Sequence, residues 1–245
     1  MTGTTLRDRA LLRISGDEAR PFLQGLLTRD VVKLAQDEPR WTGLLTPQGK
    51  ALFDFILWGD GDDVLIDCEA AQADMLAKRL TLYRLRRKVM IARDETLAVH
   101  WSPDAADQPH DPRLPALGHR WLAPAGEGDL SATFRAHRLS LGIFEGVAEL
   151  GQDQILWLET NAEELNGVDY DKGCYVGQEN TARMHYRNKV SRRLVAVPLA
   201  AADEKRQRAA LADVGLSIEL RRVESIDPAT LPGWLATAIE SKAAE

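Results

Sequence analysis

The stretch "WTGLLTPQGKALFDFILWGDGDDVLIDCE" (41–69) constrains the fold more than any other. Three apolar runs are separated by two short turn sequences, too close together for a helix to cross between them. In "TPQGK", Pro47 suits the second position of a turn and Gly49 is free to take positive φ. "GDGDD" supplies the second turn. Its acids lack the 12-residue order of an EF-hand, so a hairpin explains them better than calcium. Three strands joined this way form an antiparallel meander.

The flanking segments alternate helix and strand without a regular βαβ repeat. "ALLRI" (10–14) reads as a strand and "SGDEARPFLQGLLTRDV" (15–31) as a helix capped by Ser15 or Asp17. "AAQADMLAKRLTLYRLRRK" (70–88) reads as a helix with a broad apolar side of Met75, Leu76, Leu80, Leu82, Tyr83 and Leu85. "VMIARDETLAVHW" (89–101) adds two strands. Residues 102–130 hold five of the eleven prolines and read as a linker or irregular excursion. "SATFRAHRLSLGI" (131–143) resumes a helix ending at Gly142. "QILWLET" (154–160), "LNGVDY" (165–170), "RRLVAVPL" (192–199) and "LSIELRRVES" (216–225) read as strands. Residues 201–213 read as helix or loop, and the last segment as a short helix. This order indicates an α+β protein. The expected domains are an N-terminal α+β module (1–101), a Pro/Gly-rich linker (102–130), a second α+β module (131–191) and a reduced C-terminal β module (192–245).

Composition narrows the function classes. A hydrophobic share of 44% supports a packed core, and a formal charge of −6 argues against direct nucleic-acid binding. No run is long and apolar enough for a membrane helix, and charges interrupt any secretory h-region at the N-terminus. The two cysteines, Cys68 and Cys174, form neither a disulfide framework nor a zinc signature. Together these point to a cytoplasmic protein in a reducing compartment, with no resident metal. There is no G-x-S-x-G, P-loop or G-x-G-x-x-G. His100 and His185 fall in no metal or catalytic pattern.

"DKGCYVGQENTARMHYRNK" (171–189) is the richest stretch chemically. Gly173 and Gly177 permit positive φ, and Cys174 precedes a predicted helix. A helix N-terminus favours thiolate over thiol, which predicts a lowered pKa and a nucleophilic sulfur. The alternative is a glycine turn with a small buried cysteine. Arg183 and Arg187 share a helix face at i, i+4. They form either a clamp for a carboxylate or phosphate or a solvated basic face, with Lys189, Arg192 and Arg193 following. "YRLRRK" (83–88) is a second basic run, read as a solvated helix end.

"KGCYVGQE", Lys172 to Glu179, resembles the K-G-C-Y-x-G-Q-E signature of the YgfZ-type folate-binding proteins, relatives of the glycine-cleavage T-protein (aminomethyltransferase). The segments "ISGDEARPFLQGLLTRDV", "LTPQGKALFDFILW", "YRLRRKV" and "FRAHRLSLGI" agree in order, so the likeness spans about residues 10–195. The resemblance implies antiparallel sheets with packed helices around a central pocket. Segment 192–245 lacks the glycine-rich strands of the family barrel, which implies a shortened or divergent C-terminal β module. It also implies tetrahydrofolate (or a derivative) as cofactor, iron–sulfur client or assembly proteins as partners, and a role in iron–sulfur cluster assembly or repair. The alternatives it leaves are a folate-dependent aminomethyl- or methyltransferase and an indirect tRNA-modification factor. Carried over by position, Cys174 and Asp54 are the candidate reacting residues. Lys172, Gly173, Tyr175, Gly177, Gln178, Glu179, Arg183 and Arg187 are the candidate folate contacts. The T-protein has an aspartate at the Cys174 position and two adjacent acids where this chain reads Phe53-Asp54.

Overall fold

The structure, a computed structural model, describes residues 3–187 and 190–243. Strands β1 (Arg9–Ser15), β2 (Arg40–Leu45), β3 (Ala51–Asp60), β4 (Asp63–Glu69) and β5 (Met90–Asp94) form one sheet in the order β2-β3-β4-β1-β5. Every neighbouring pair is antiparallel. The two tight turns lie where the meander requires them: Gly49 takes φ 80° and Gly61 φ 59°.

Both faces of this sheet are covered, which explains why β3 alternates so poorly: all its residues but Asp60 are buried. On one face, α1 (Ala19–Gln24) and α2 (Ala73–Arg84) pack Phe22, Leu23, Leu76 and Leu80 against Phe53, Phe55, Leu57 and Ile66. On the other, Ile56, Trp58 and Leu65 meet Trp101, Phe134 and Trp157. Those partners come from the hairpin of β6 (Ala98–Ser102) and β7 (His119–Ala123), from α3 (Ser131–Ser140) and from the turn Trp157–Thr160. Each large side chain so buried contributes about 1.5–3 kcal/mol.

The remaining elements are α4 (Val147–Leu150), α5 (Gln178–Tyr186), the strands β8 (Arg192–Pro198), β9 (Gln207–Leu211) and β10 (Leu216–Arg222), and α6 (Gly233–Ala243). The last three strands form a small sheet in the order β8-β10-β9 rather than a closed barrel. The α+β class holds.

Several local expectations change. The helix expected over 15–31 is limited to Ala19–Gln24 and carries no side-chain N-cap bond. The chain leaves it so that the Thr28 hydroxyl can reach Gly167 O at 2.6 Å and Thr42 at 3.0 Å in the core. Within 154–160 only Leu156 makes an isolated bridge, to Lys50, and Trp157–Thr160 form a 3-10 turn followed by left-handed Asn161; 165–170 belong to no strand. Residues 207–211 are a strand, not a helix or loop. The apolar side of α2 is narrower than its sequence suggests, because Met75, Leu82 and Leu85 face solvent.

The stretch 102–130 is no linker. It contributes β7 and carries Arg113 and Arg120 into the interior. Arg113 pairs with Asp111 and Glu145, and Arg120 with Asp67 at 2.7 Å. Arg9 joins the same Asp67, while Arg138 binds Glu149 and lies 3.4 Å from Glu145. Guanidinium groups removed from water need such carboxylates, so the network ties four separate segments together.

Candidate functional site

The signature loop is held at both ends by backbone polar groups that helices and turns leave free. Helix α1 ends with unpaired carbonyls. The Lys172 ammonium donates to one of them, Gln24 O at 2.6 Å, and to Leu27 O at 2.5 Å in the turn that follows the helix. Gln24 returns a bond from its side-chain amide to Lys172 O at 2.9 Å, and Val176 N donates to Gly25 O at 3.2 Å. Burial pushes the Lys172 amine down to about 8, although Asp30 and Asp169 act in the opposite direction.

At the other end, Gly177 has φ +87° and seats against the β2–β3 turn. A Cβ there would lie 2.6 Å from Thr46 O and 3.1 Å from Gly49 Cα. Gly177 is the N-cap residue of α5, and Thr181 Oγ1 donates back to its carbonyl at 3.1 Å. Asn180 donates to Gln48 O at 2.9 Å. Between these anchors, Tyr175 enters the core on the Trp58 side of the sheet and Val176 packs against the core on the helix side. The Lys172 ammonium lies 5.0 Å from the Tyr175 ring centroid, within cation–π range.

Cys174 is exposed at the crest of this fixed loop. Cys68 on β4 is the opposite case. It is buried, and that burial, ahead of its charged neighbours, pushes its thiol up to about 12. Only Cys174 is placed to meet a reagent or partner. An aromatic group missed in the sequence flanks the loop: the Tyr170 and His185 rings stack at 3.7 Å, and Tyr186 lies edge-on to His185 at 4.9 Å. His185 Nδ1 is 3.0 Å from Glu163. Tyr170 directly precedes the signature, and His185 sits on the helix after it, so the helical spacing of Thr181 and His185 was the available signal.

The basic run does not converge as a clamp. Arg183 pairs with Glu179 at 3.4 Å on the exposed side of α5, and Arg187 is exposed at its end. Arg193 is a core residue, bound to Glu164 at 2.6 Å and to Asn161 at 3.0 Å. Arg192 pairs with Glu159. Lys189 lies outside the described residues.

Asp54 is buried, with both carboxylate oxygens occupied. Gly146 N donates to one at 2.8 Å and Trp41 Nε1 to the other at 3.0 Å. The gap between Asp54 and Val147 has no room for a water molecule. Burial, reinforced by Glu145, raises its pKa. With both oxygens spent on protein donors, Asp54 reads as a positioning group between β2, β3 and α4, not as an acid presented to a substrate amine.

A separate cleft of about 190 Å³ opens on the Trp58 side of the sheet. Trp58, Leu65, Leu97, Gln108, Trp121 and Leu122 are among its walls. Trp58 is 4% exposed, and its indole N–H has no hydrogen-bond partner among the described residues. No residue of the signature loop lines this cleft.

The fold is T-protein-like. The crystal structure of the glycine cleavage system aminomethyltransferase T from Bartonella henselae superposes with a TM-score of 0.66 at 15% identity, covering 91% of this chain and 80% of that one. No protein-family model matches the chain. The chain belongs to the family of the iron-sulfur cluster assembly factor IBA57 and its homologues. The Pyricularia oryzae homologue is 30% identical over 97% of this chain and 76% of its own length. Human IBA57 is 35% identical, covering 78% of this chain and 65% of the human protein. For the Neurospora crassa homologue the values are 32%, 78% and 52%, so the chain spans about half of that relative. These relatives are named as mitochondrial, which overturns the cytoplasmic placement.

Proposed function

We propose that this chain acts in iron–sulfur cluster assembly by lending Cys174 as one thiolate ligand to a cluster shared with a partner protein. The exposed Cys174 sulfur, on a loop fixed at both ends, carries this reading. Clusters are usually held by four ligands. One accessible cysteine therefore needs the remaining ligands from an assembly partner or from non-protein thiols. On joining the cluster, the Cys174 sulfur forms an Fe–S bond as one existing thiolate leaves the iron, and the proton lost by Cys174 is taken up by that departing thiol. Lys172, Gly173, Tyr175, Gly177 and Gln178 serve as the scaffold that holds the sulfur outward, and Glu179, Arg183 and Arg187 form the charged rim beside it.

The test is anaerobic mixing of the full chain with an iron–sulfur assembly protein carrying a [2Fe–2S] cluster, read by visible absorption, circular dichroism and gel filtration. Wild type and Cys68→Ser are expected to form a coloured complex, and Cys174→Ser none. A coloured complex of equal yield from Cys174→Ser would sink the reading.

A second reading, tetrahydrofolate binding, is favoured by the Trp58–Trp121 cleft. A pterin is flat, and the aromatic walls of this cleft, Trp58 and Trp121, suit a flat ring. The residues present fit that ring. Trp58 and Trp121 would hold it, and Gln108 would meet its polar edge. When bound, the group carries one-carbon units. Calorimetry with tetrahydrofolate tests this: binding weakened by Trp58→Phe supports it, and no heat at millimolar ligand removes it.

A further inference from the structure

We propose that the outer face of α2 and the turn after it form a docking surface for an acidic polypeptide, distinct from the Cys174 loop. Helix α2 uses Ala73, Leu76 and Leu80 to face the core. Met75 and Leu82, two turns apart on the opposite side, are 55% and 64% exposed. Lys78 and Arg79 flank that line on the same exposed surface.

The turn that follows presents a third apolar side chain. Arg84–Arg87 is closed by Arg87 N donating to Arg84 O at 3.0 Å. Leu85 occupies its second position with φ 53° and ψ −114°, a conformation that suits glycine. A leucine there is strained, and its side chain is 84% exposed. The strained turn is not loose. Arg84 donates to Val89 O at 3.0 Å, Val89 N to Arg87 O at 3.0 Å, and Lys88 N to the Glu18 carboxylate at 2.8 Å. Backbone strain kept in place to hold an apolar side chain in water indicates a function for that side chain.

Charge complementarity identifies the occupant. Residues 75–93 contain no Asp or Glu, in a chain whose formal charge is −6. Lys78, Arg79, Arg86, Arg87 and Lys88 are exposed, and none has an acidic partner within 4.0 Å among the described residues. Apolar side chains interleaved with cations match a polypeptide that alternates carboxylates with apolar residues. A membrane-bound helix separates its apolar and basic faces, which this one does not. A nucleic-acid backbone offers nothing to Leu82 and Leu85.

The test is titration of the full chain with four probes. They are a helical peptide of Leu and Glu of about 20 residues, its Leu/Lys counterpart, vesicles of phosphatidylcholine with cardiolipin, and a single-stranded oligothymidylate. The Leu/Glu peptide is expected to bind, about tenfold or more tightly than to the Arg86→Glu/Arg87→Glu variant, and to weaken with salt. Leu85→Gly is expected to lower the affinity while raising Tm, because it removes the contact and relieves the strain. A merely structural Leu85 would not give that pairing. Failure of the Leu/Glu peptide to bind, equal binding of both peptides, or a response unchanged in the variants overturns the proposal. Preferential binding of the vesicles or the oligonucleotide overturns it in favour of lipid or nucleic acid.

Discussion

Gly173 and Gly177 have nearly the same backbone and very different surroundings, so replacing each by alanine separates conformational strain from steric overlap. Their φ values are +92° and +87°. Moving an L residue into that region costs about 1–2 kcal/mol. At Gly173 nothing lies within 4 Å of the added Cβ, so that is the whole expected loss. At Gly177 the Cβ would sit 2.6 Å from Thr46 O, in the β2–β3 turn, and 3.0 Å from Leu45 Cβ, at the end of β2. Backbone cannot step aside as a flexible side chain can, and forced overpacking adds about 1–3 kcal/mol. Gly177→Ala is therefore expected to lose about 2–5 kcal/mol, against about 1–2 for Gly173→Ala. At about 2–4 °C per kcal/mol, Gly177→Ala should lower Tm by about 10 °C and Gly173→Ala by about 4 °C. Differential scanning calorimetry gives the two values, and the rate of Cys174 alkylation reports whether the loop has moved. Equal Tm losses in the two variants would refute the claim that Gly177 anchors the loop by contact.

Three further outcomes are expected. In the folded protein a thiol reagent should modify Cys174 alone, with Cys68 reacting only on unfolding; mass spectrometry of the labelled peptides checks this. Lys172 has a folded-state pKa of about 8, below the ordinary 10.5, so its contribution to stability is present above pH 10.5 and lost as pH falls through 8. Urea midpoints should therefore rise between pH 8 and 10.5 more steeply in wild type than in Lys172→Met; parallel curves would count against the burial of this amine. Arg113→Met leaves Asp111 and Glu145 without their shared guanidinium, and the stability loss should be about 3–5 kcal/mol by urea denaturation.

The five-stranded sheet stands on features that neighbouring residues decide. Pro47, Gly49 and Gly61 fix two turns, and the apolar runs between them have no other way to pair. The same holds for α5 and for Gly173 and Gly177, whose positive φ values are consistent with their being glycines. The exposure of Cys174 was half legible: a glycine-bounded loop before a helix was readable, but not which way its sulfur would face.

The tertiary structure alone decided the rest. Arg9, Arg113, Arg120 and Arg138 look like surface residues in the sequence because charge is normally solvated. They are buried because Asp67, Asp111, Glu145 and Glu149 arrive from other segments to meet them. For the same reason a proline-rich stretch became part of the core, and Asp54 became a structural carboxylate held by Trp41 and Gly146. Lys172, read as part of a ligand site, instead closes the carbonyl end of α1. Turns and helix starts depend on the energies of a few adjacent residues, which the sequence writes out directly. Burial, ion pairing and clefts depend on which distant groups share a desolvated space, and only the folded chain brings those groups together.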